Sequence, residues 1–346
     1  MSRMDNRKLA RPYELSGDTI VSAVDAFSGI AVDNFWDKHL VTDMMLAKKK
    51  IRDVGGAEVT TAVELGAANE GGTFRGNSFL RNVPKDSLDM ASMRWANYYA
   101  PISINFDEKT ENTGKEKQLD LIEYRVNSAF KTINRNFGYG LFDAGTKDYG
   151  DGVKNGLVGF PKMIDDGSTY AEYMGITYSA TASTTGPDYS KWAAHMTSSA
   201  GYITLQDLEY ISTVTGDGST YKDDMVDLMI TTKDIYHDLR NQVAAKLHGT
   251  PEMLTQWSKH RHFVWDNLVI TFDGNQTSGQ ADFVNTNMLE LEVHKQGNFA
   301  RPGWLRANGQ MSEVDYVILK TRMYSAKRNA HATVTGITNG VNITMT

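Results

Sequence analysis

A chain of 346 residues, 40% hydrophobic and 23% charged, has globular composition and is long enough for one large domain or two ordinary ones. Its formal net charge of -6 argues against a surface that grips nucleic acid throughout. The absence of cysteine removes disulfides, thiolate metal sites and cysteine nucleophiles together. The first twenty residues hold no apolar core of signal-peptide length, and no run approaches a bilayer span, so synthesis and release in a cytoplasm, with no membrane partner, are expected. The sequons at Asn275 and Asn342 therefore carry little weight.

In chain order, residues 1 to about 55 read as an irregular arm with some helix at 22–27 and 35–50. Basic clusters at Arg3, Arg7, Lys8 and Arg11, and again at 48–53, read as solvated charge on the arm and at a helix end. Val59, Thr61, Val63 and Leu65 then alternate on one face, as in a half-buried strand. A second strand-like stretch from Ala91 puts Ile102, Ile104 and Phe106 on a common face. Between them lies a glycine-rich segment longer than most structureless loops in compact domains. It carries Phe74, Phe79 and Leu80 among Arg75, Arg81 and Lys85, apolar groups that a mere linker would not need. The segment reads as a projecting hairpin that packs on something outside its own domain.

Leu119, Ile122, Val126, Phe130, Ile133, Phe137 and Leu141 form a stripe at three- and four-residue spacing. It predicts a one-sided helix of about 28 residues and roughly 40 Å, capped by Thr113 with Glu116 and ended by Gly138, Gly140 and Gly145. Its other face carries Lys117, Asp120, Arg125, Lys131 and Arg135. Residues 140–167 are turn-rich. A helix that Thr204 could cap follows, then a strand at 225–231 running into a helix marked by Ile235, Leu239, Val243 and Leu247. Residues 262–274 read as one strand. Leu289, Leu291 and Val293 alternate against Glu290 and Glu292 in another, and a last strand-like stretch covers 314–337.

Catalytic and cofactor signals are thin. NTGKEK lacks the leading glycine and the Ser or Thr of a phosphate-binding loop, GNSFL lacks the second glycine of a nucleophile elbow, and GDGST reads as a turn. His260 and His262 could share a strand face as metal ligands, but no acidic partner is fixed by spacing, and two ordinary histidines are the expectation. Asp223, Asp224 and Asp227 read as a solvated acidic turn rather than a cation site. His195, His237, His248, His294 and His331 receive no role. No catalytic, cofactor-binding or metal residue is assigned, and no enzymatic activity is expected.

The order of hairpin, rod and second unit resembles the major capsid proteins of tailed bacteriophages, with an α+β, Hong Kong 97-like fold. The resemblance runs from about Gly55 onward and rests on local phrases: residues 93–146 (MRWANYYAPISINF onward), NGLVGFPKMIDD, DLMITTKDIYHDLRNQVAAKL and ADFVNTNMLELEVHKQGNF. In the last of these, Val284 stands where leucine is common. It implies an N-terminal arm at 1–55, an extended β-hairpin loop at 56–100, a peripheral domain with the long spine helix at 101–150 and 281–346, and an axial domain at 151–280. It further implies hexamers and pentamers closed into an icosahedral shell, a virion capsid assembled in the host bacterial cytoplasm. The shell encloses double-stranded DNA without sequence-specific binding, with a portal at one vertex and room for a decoration protein. A separate scaffolding protein is expected, because the arm is shorter than a fused scaffold, and no motif supports a covalent link through Lys85. Inter-subunit contact is expected at Phe74, Arg75, Phe79 and Arg81. The alternatives are an encapsulin-like nanocompartment shell and an α+β enzyme with an unrecognised site.

Overall fold

Most of these periodic stretches become elements of two sheets and a long helix in the computed structural model, which describes residues 27, 35–66, 73–76, 79, 86–105, 107–108, 115–149, 152–183, 186–199, 201–216, 221, 223–246, 260–306 and 312–338. The first half contains α1 (Leu40–Ala47), β1 (Ile51–Val54), β2 (Glu58–Glu64), β3 (Leu88–Arg94), β4 (Ala96–Asn105), the spine helix α2 (Lys115–Leu141), α3 (Phe160–Met163), β5 (Glu172–Tyr173) and β6 (Ile176–Thr177). The second adds β7 (His195–Ser198), α4 (Leu205–Thr215), β8 (Leu228–Thr231), α5 (Lys233–Lys246), β9 (His262–Trp265), β10 (Leu268–Phe272), β11 (Ala281–Val284), β12 (Leu289–His294), β13 (Leu305–Arg306), β14 (Ser312–Ser325) and β15 (Ala332–Thr335).

One sheet has β14 as its backbone. This 14-residue strand pairs antiparallel with β4 from Ser312↔Asn105 to Thr321↔Ala96, with β12 from Thr321 onward, and with β13 near its start. β1 joins β12 in parallel. β4 alternates strictly between buried and outward residues, and Ala96, Tyr98, Ala100, Ile102 and Ile104 supply its buried face. α2 covers that face with the predicted stripe: Ile122, Val126, Phe130, Ile133, Phe137 and Leu141 are all buried. At 1.5 Å per residue the helix is about 40 Å long. Thr113, its expected cap, lies outside the described residues.

Gly138 and Gly140 do not stop α2; they lie inside it. A Cβ on Gly138 would stand 2.6 Å from the His39 ring, and one on Gly140 would stand 2.3 Å from the Tyr98 hydroxyl. These glycines permit close approach, and the hydroxyl so admitted accepts a hydrogen bond from the Leu157 N–H. The expected arm also needs revision from residue 35 onward. Phe35, Met44 and Met45 are buried, and Phe35 meets Phe137 and Phe299 ring to ring at 5.8 and 4.9 Å. Residues 35–54 therefore belong to the folded body.

The second sheet runs β7-β15-β11-β8-β10-β9. All four side chains of β8 are buried, because both faces of this strand are covered. Leu228 and Ile230 face the core shared with α2, whereas Met229 faces a second core under α4 and α5, with Leu208, Tyr236, Leu239 and Val243. α4 begins with the expected cap: Thr204 and Asp207 form a reciprocal capping box. The stretch 262–272 is a hairpin rather than one strand, since Asp266, at φ 54°, and Asn267 turn the chain between β9 and β10. The expected peripheral and axial segments do not each coincide with a sheet. β11 and β15, counted with the former, are hydrogen-bonded into the sheet of β8.

Candidate assembly surface

The hairpin β2–β3 holds an unbroken antiparallel register from Glu58↔Arg94 to Glu64↔Leu88, and its two faces differ. Val63, Ala91 and Met93 point inward and are buried, as is Leu65 just beyond. Ala62 and Glu64 lie on the other face, beside Leu88 and Met90, each 60% exposed. Beyond the strands, Phe74 is 66% exposed and Phe79 is fully exposed, leaving Phe79 almost no contact with its own chain. Arg75 is exposed nearby, and Arg81 lies outside the described residues. The structure thus brings Phe74, Arg75 and Phe79 onto an uncovered segment. It adds Leu88 and Met90, which the sequence reading passed over. Their signal was the period of LDMASMR, which sets these two opposite Ala91 and Met93.

The root of the hairpin is fixed. The Leu65 N–H donates to the Ser87 carbonyl at 2.7 Å, the Asp188 N–H donates to the Leu65 carbonyl at 2.9 Å, and the Tyr189 hydroxyl donates to Asp89 at 3.0 Å. Deeper in, the buried Arg322 guanidinium ties three elements together. Its Nε donates to Glu292 Oε2 at 2.8 Å, and its Nη1 donates to the Met93 carbonyl at 3.2 Å. Nη2 stands 2.7 Å from the same Glu292 oxygen, too poorly aligned for a second hydrogen bond. The Trp95 ring lies over the guanidinium at 3.7 Å, and its indole N–H donates to the Gly56 carbonyl at 2.8 Å. Glu292 was read as an outward residue of β12; it is buried because Arg322 compensates its charge.

A second buried cluster locks the two sheets together where β14 passes into β15. Arg328 donates to the carbonyls of Met163, Trp192, Lys162 and Asp165 at 2.7–3.3 Å. His331 Nδ1 accepts from the Asn285 N–H at 3.2 Å, while Nε2 lies 2.9 Å from Ser325 Oγ. That arrangement fits the neutral ring, and burial, followed by the nearby Arg328 charge, pushes the His331 pKa down to about 3. The unfolded chain takes up a proton near the ordinary value of about 6.5 and the folded one does not, so stability falls as pH drops from there toward 3. Asp282, whose pKa burial raises, acts in the opposite sense, and a comparison of variants separates the two. In denaturant titrations at pH 7, 6 and 5, His331→Gln is expected to flatten the acid loss by up to about 1.4 kcal/mol per pH unit. Parallel pH profiles for the two proteins would contradict this assignment.

Of the candidate metal and cation residues, His260, His262 and Asp227 make contacts within the fold. His260 Nε2 faces Asp43 at 3.8 Å, and the His260 carbonyl lies 3.0 Å from His262 Nδ1. Asp227 is buried rather than solvated: it accepts from the Thr286 N–H and hydroxyl at 2.7 and 2.6 Å and pairs with Lys48. Among the described residues no group of three or more histidine or acidic side chains could hold a metal, and no helix is long and apolar enough to cross a membrane.

By sequence, no family profile and no characterised relative matches this chain. By structure, it is similar to a chain of the cyanophage A-1(L) capsid asymmetric unit, with a TM-score of 0.59 at 12% identity over 84% of this chain and 90% of that one. A chain of the encapsulin complex from Synechococcus elongatus follows at 0.53 and 8%, covering 89% and 91%. The capsid of Myoviridae phage XM1 gives 0.52 and 10%, covering 85% and 92%. The hairpin, the spine helix and the two sheets together make this the Hong Kong 97-like capsid fold.

Proposed function

We propose that this chain is the structural subunit of an icosahedral phage capsid, assembling as hexamers and pentamers around double-stranded DNA. The observation that carries the proposal is the hairpin, pinned at its root and uncovered at its tip. A single copy leaves Phe74, Phe79, Leu88 and Met90 in water, and a neighbouring copy would cover them. In this reading Phe74, Arg75, Phe79 and Arg81 contact the adjacent subunit. The spine helix stiffens a thin plate, and many modest heterologous contacts close together into rings and a shell. The arm, now confined to the residues before 35, and the extended loop, peripheral and axial regions take the roles expected above, with a separate scaffolding protein during assembly, a portal at one vertex and a possible decoration protein. The net charge of -6 suits a wall that lets DNA move, since each phosphate neutralised would add salt-dependent affinity.

A nanocompartment shell is the second reading, favoured by the encapsulin likeness at a TM-score of 0.53. Electron microscopy of the purified chain, with nuclease protection and mass spectrometry of the contents, tests both. The capsid reading expects closed particles that package DNA when expressed with their phage partners. Particles holding a protein cargo and no DNA would select the second reading, and a stable monomer under all assembly conditions would overturn both.

A further inference from the structure

The outward ridge of α2 is charged unevenly along its length. Tyr124, Ser128, Lys131, Arg135 and Tyr139 follow one another at three- and four-residue spacing on the side opposite the buried stripe, and all five are exposed. From Tyr124 to Tyr139 the ridge runs about 22 Å. Asp120 and Glu123 lie before it, and the ridge itself holds no carboxylate. A third cation joins at its far end, where the Lys147 ammonium lies over the Tyr139 ring, 3.6 Å from its centre. The loop beyond the helix holds Lys147 there: Asp143 accepts the N–H groups of Thr146 and Lys147 at 2.7 and 3.0 Å, which occupies that carboxylate with its own loop. Positive charge thus stands at three successive turns, at residues 131, 135 and 139.

The usual reasons for charge on a helix face do not account for this. The helix dipole favours cations in the last turn, and the last turn of α2 holds none; Lys131 and Arg135 lie further in. Ion pairs along a helix need a carboxylate three or four residues away. The positions so placed around these two cations are Asn127, Ser128, Thr132, Asn134, Gly138 and Tyr139. Lys131 and Arg135 are instead i, i+4 neighbours of like charge, a pairing that works against the helix. An anion laid along the ridge turns that repulsion into attraction.

We propose that this ridge binds the phosphate backbone of duplex DNA, with Lys131, Arg135 and Lys147 each neutralising a phosphate and the hydroxyls of Tyr124 and Ser128 donating to phosphate oxygens. Every polar side chain on the ridge can donate, and such groups hold a nucleic-acid backbone without reading its sequence. Charge complementarity favours this occupant: a polyphosphate carries an anion at every step, whereas a segment of another copy would need carboxylates at matching spacing. DNA meets this surface only in the capsid reading, on which the proposal rests, and the ridge of α2 then lines the inner wall. Three contacts bind weakly in one copy and add up over many, which suits a wall that holds DNA without trapping it.

The test is binding of a random-sequence DNA duplex to dissociated full-length subunits, read by fluorescence anisotropy from about 20 to about 200 mM salt. Lys131→Gln, Arg135→Gln and Lys147→Gln together are expected to lower the slope of log affinity against log salt by about 2.7, since each phosphate contact contributes about 0.9. At about 50 mM salt the same variant is expected to bind at least tenfold more weakly. A control variant removes equal charge elsewhere, at the exposed Lys49, Lys191 and Lys233, each replaced by Gln, and is expected to keep the native slope to within about 0.5. Equal losses from the two variants would show attraction to overall charge and overturn the proposal. A native subunit that does not bind the duplex at the lowest salt would overturn it too. Binding through the ridge by subunits that never close into shells would leave this inference standing and count against the capsid reading instead, so the two fail separately.

Discussion

Removal of residues 70–86 is expected to leave a soluble, folded subunit that forms no closed shells. The register of the hairpin makes the deletion conservative for the body. Leu65 and Ser87 are already joined by a hydrogen bond, so splicing residue 69 to residue 87 leaves four residues, 66–69, to close the turn, a common hairpin loop length. The inward residues Val63, Ala91 and Met93 and the contacts from Asp188 and Tyr189 remain in place. What disappears is the uncovered segment with Phe74, Arg75 and Phe79, which adds little to the stability of one copy. Thermal melting of the dissociated subunit should therefore shift by only a few degrees, corresponding to about 1 kcal/mol or less. In a shell the same segment would meet a neighbour in every copy, so small losses multiply and closure fails. Negative-stain micrographs and sedimentation of the deletion variant decide the matter. Closed particles of normal size would remove these residues from any role in assembly.

What could be read from the sequence was local, and what could not was set by distant partners. The α2 stripe was legible because helix burial repeats every three to four residues, and each stripe residue from Ile122 to Leu141 is indeed buried. The Thr204 cap was legible for the same reason, since its partner Asp207 lies three residues away. Gly138 and Gly140 were misread because glycine carries two signals: a helix stop, which is local, and close approach, which needs to know that His39 and Tyr98 arrive there. Asp227 looked solvated because its partner Lys48 lies 179 residues away. β11 and β15 were grouped with the peripheral domain through the resemblance alone, whereas their hydrogen bonds go to β8 and β7. At the candidate surface, Phe74 and Phe79 were legible as apolar residues in a turn-rich stretch. Leu88 and Met90 were hidden by a strand whose two faces are both partly apolar.

The largest single-residue effect is expected at the root of the hairpin. Arg322→Ala leaves Glu292 buried without its cation, removes a side-chain donor from the Met93 carbonyl and strips the charge from the face of Trp95. Breaking a buried pair by removing one partner costs about 3–5 kcal/mol, because the remaining charge is uncompensated. Replacing both partners, with Arg322→Met and Glu292→Leu, removes the charge along with its desolvation penalty, and is expected to recover more than half of that loss in denaturant titrations of the dissociated subunit. Assembly should not recover in step with stability. The Met93 carbonyl belongs to β3, and neither methionine nor leucine can donate to it, so the double variant folds with a hairpin whose direction is less firmly held. Its assembly yield is therefore expected to stay below that of the native chain at equal stability. A destabilisation of Arg322→Ala under about 1 kcal/mol would show that the pair is not the anchor of the hairpin. Full assembly by the double variant would show instead that the pair serves stability alone, and that the strands β2 and β3 fix the hairpin's direction without it.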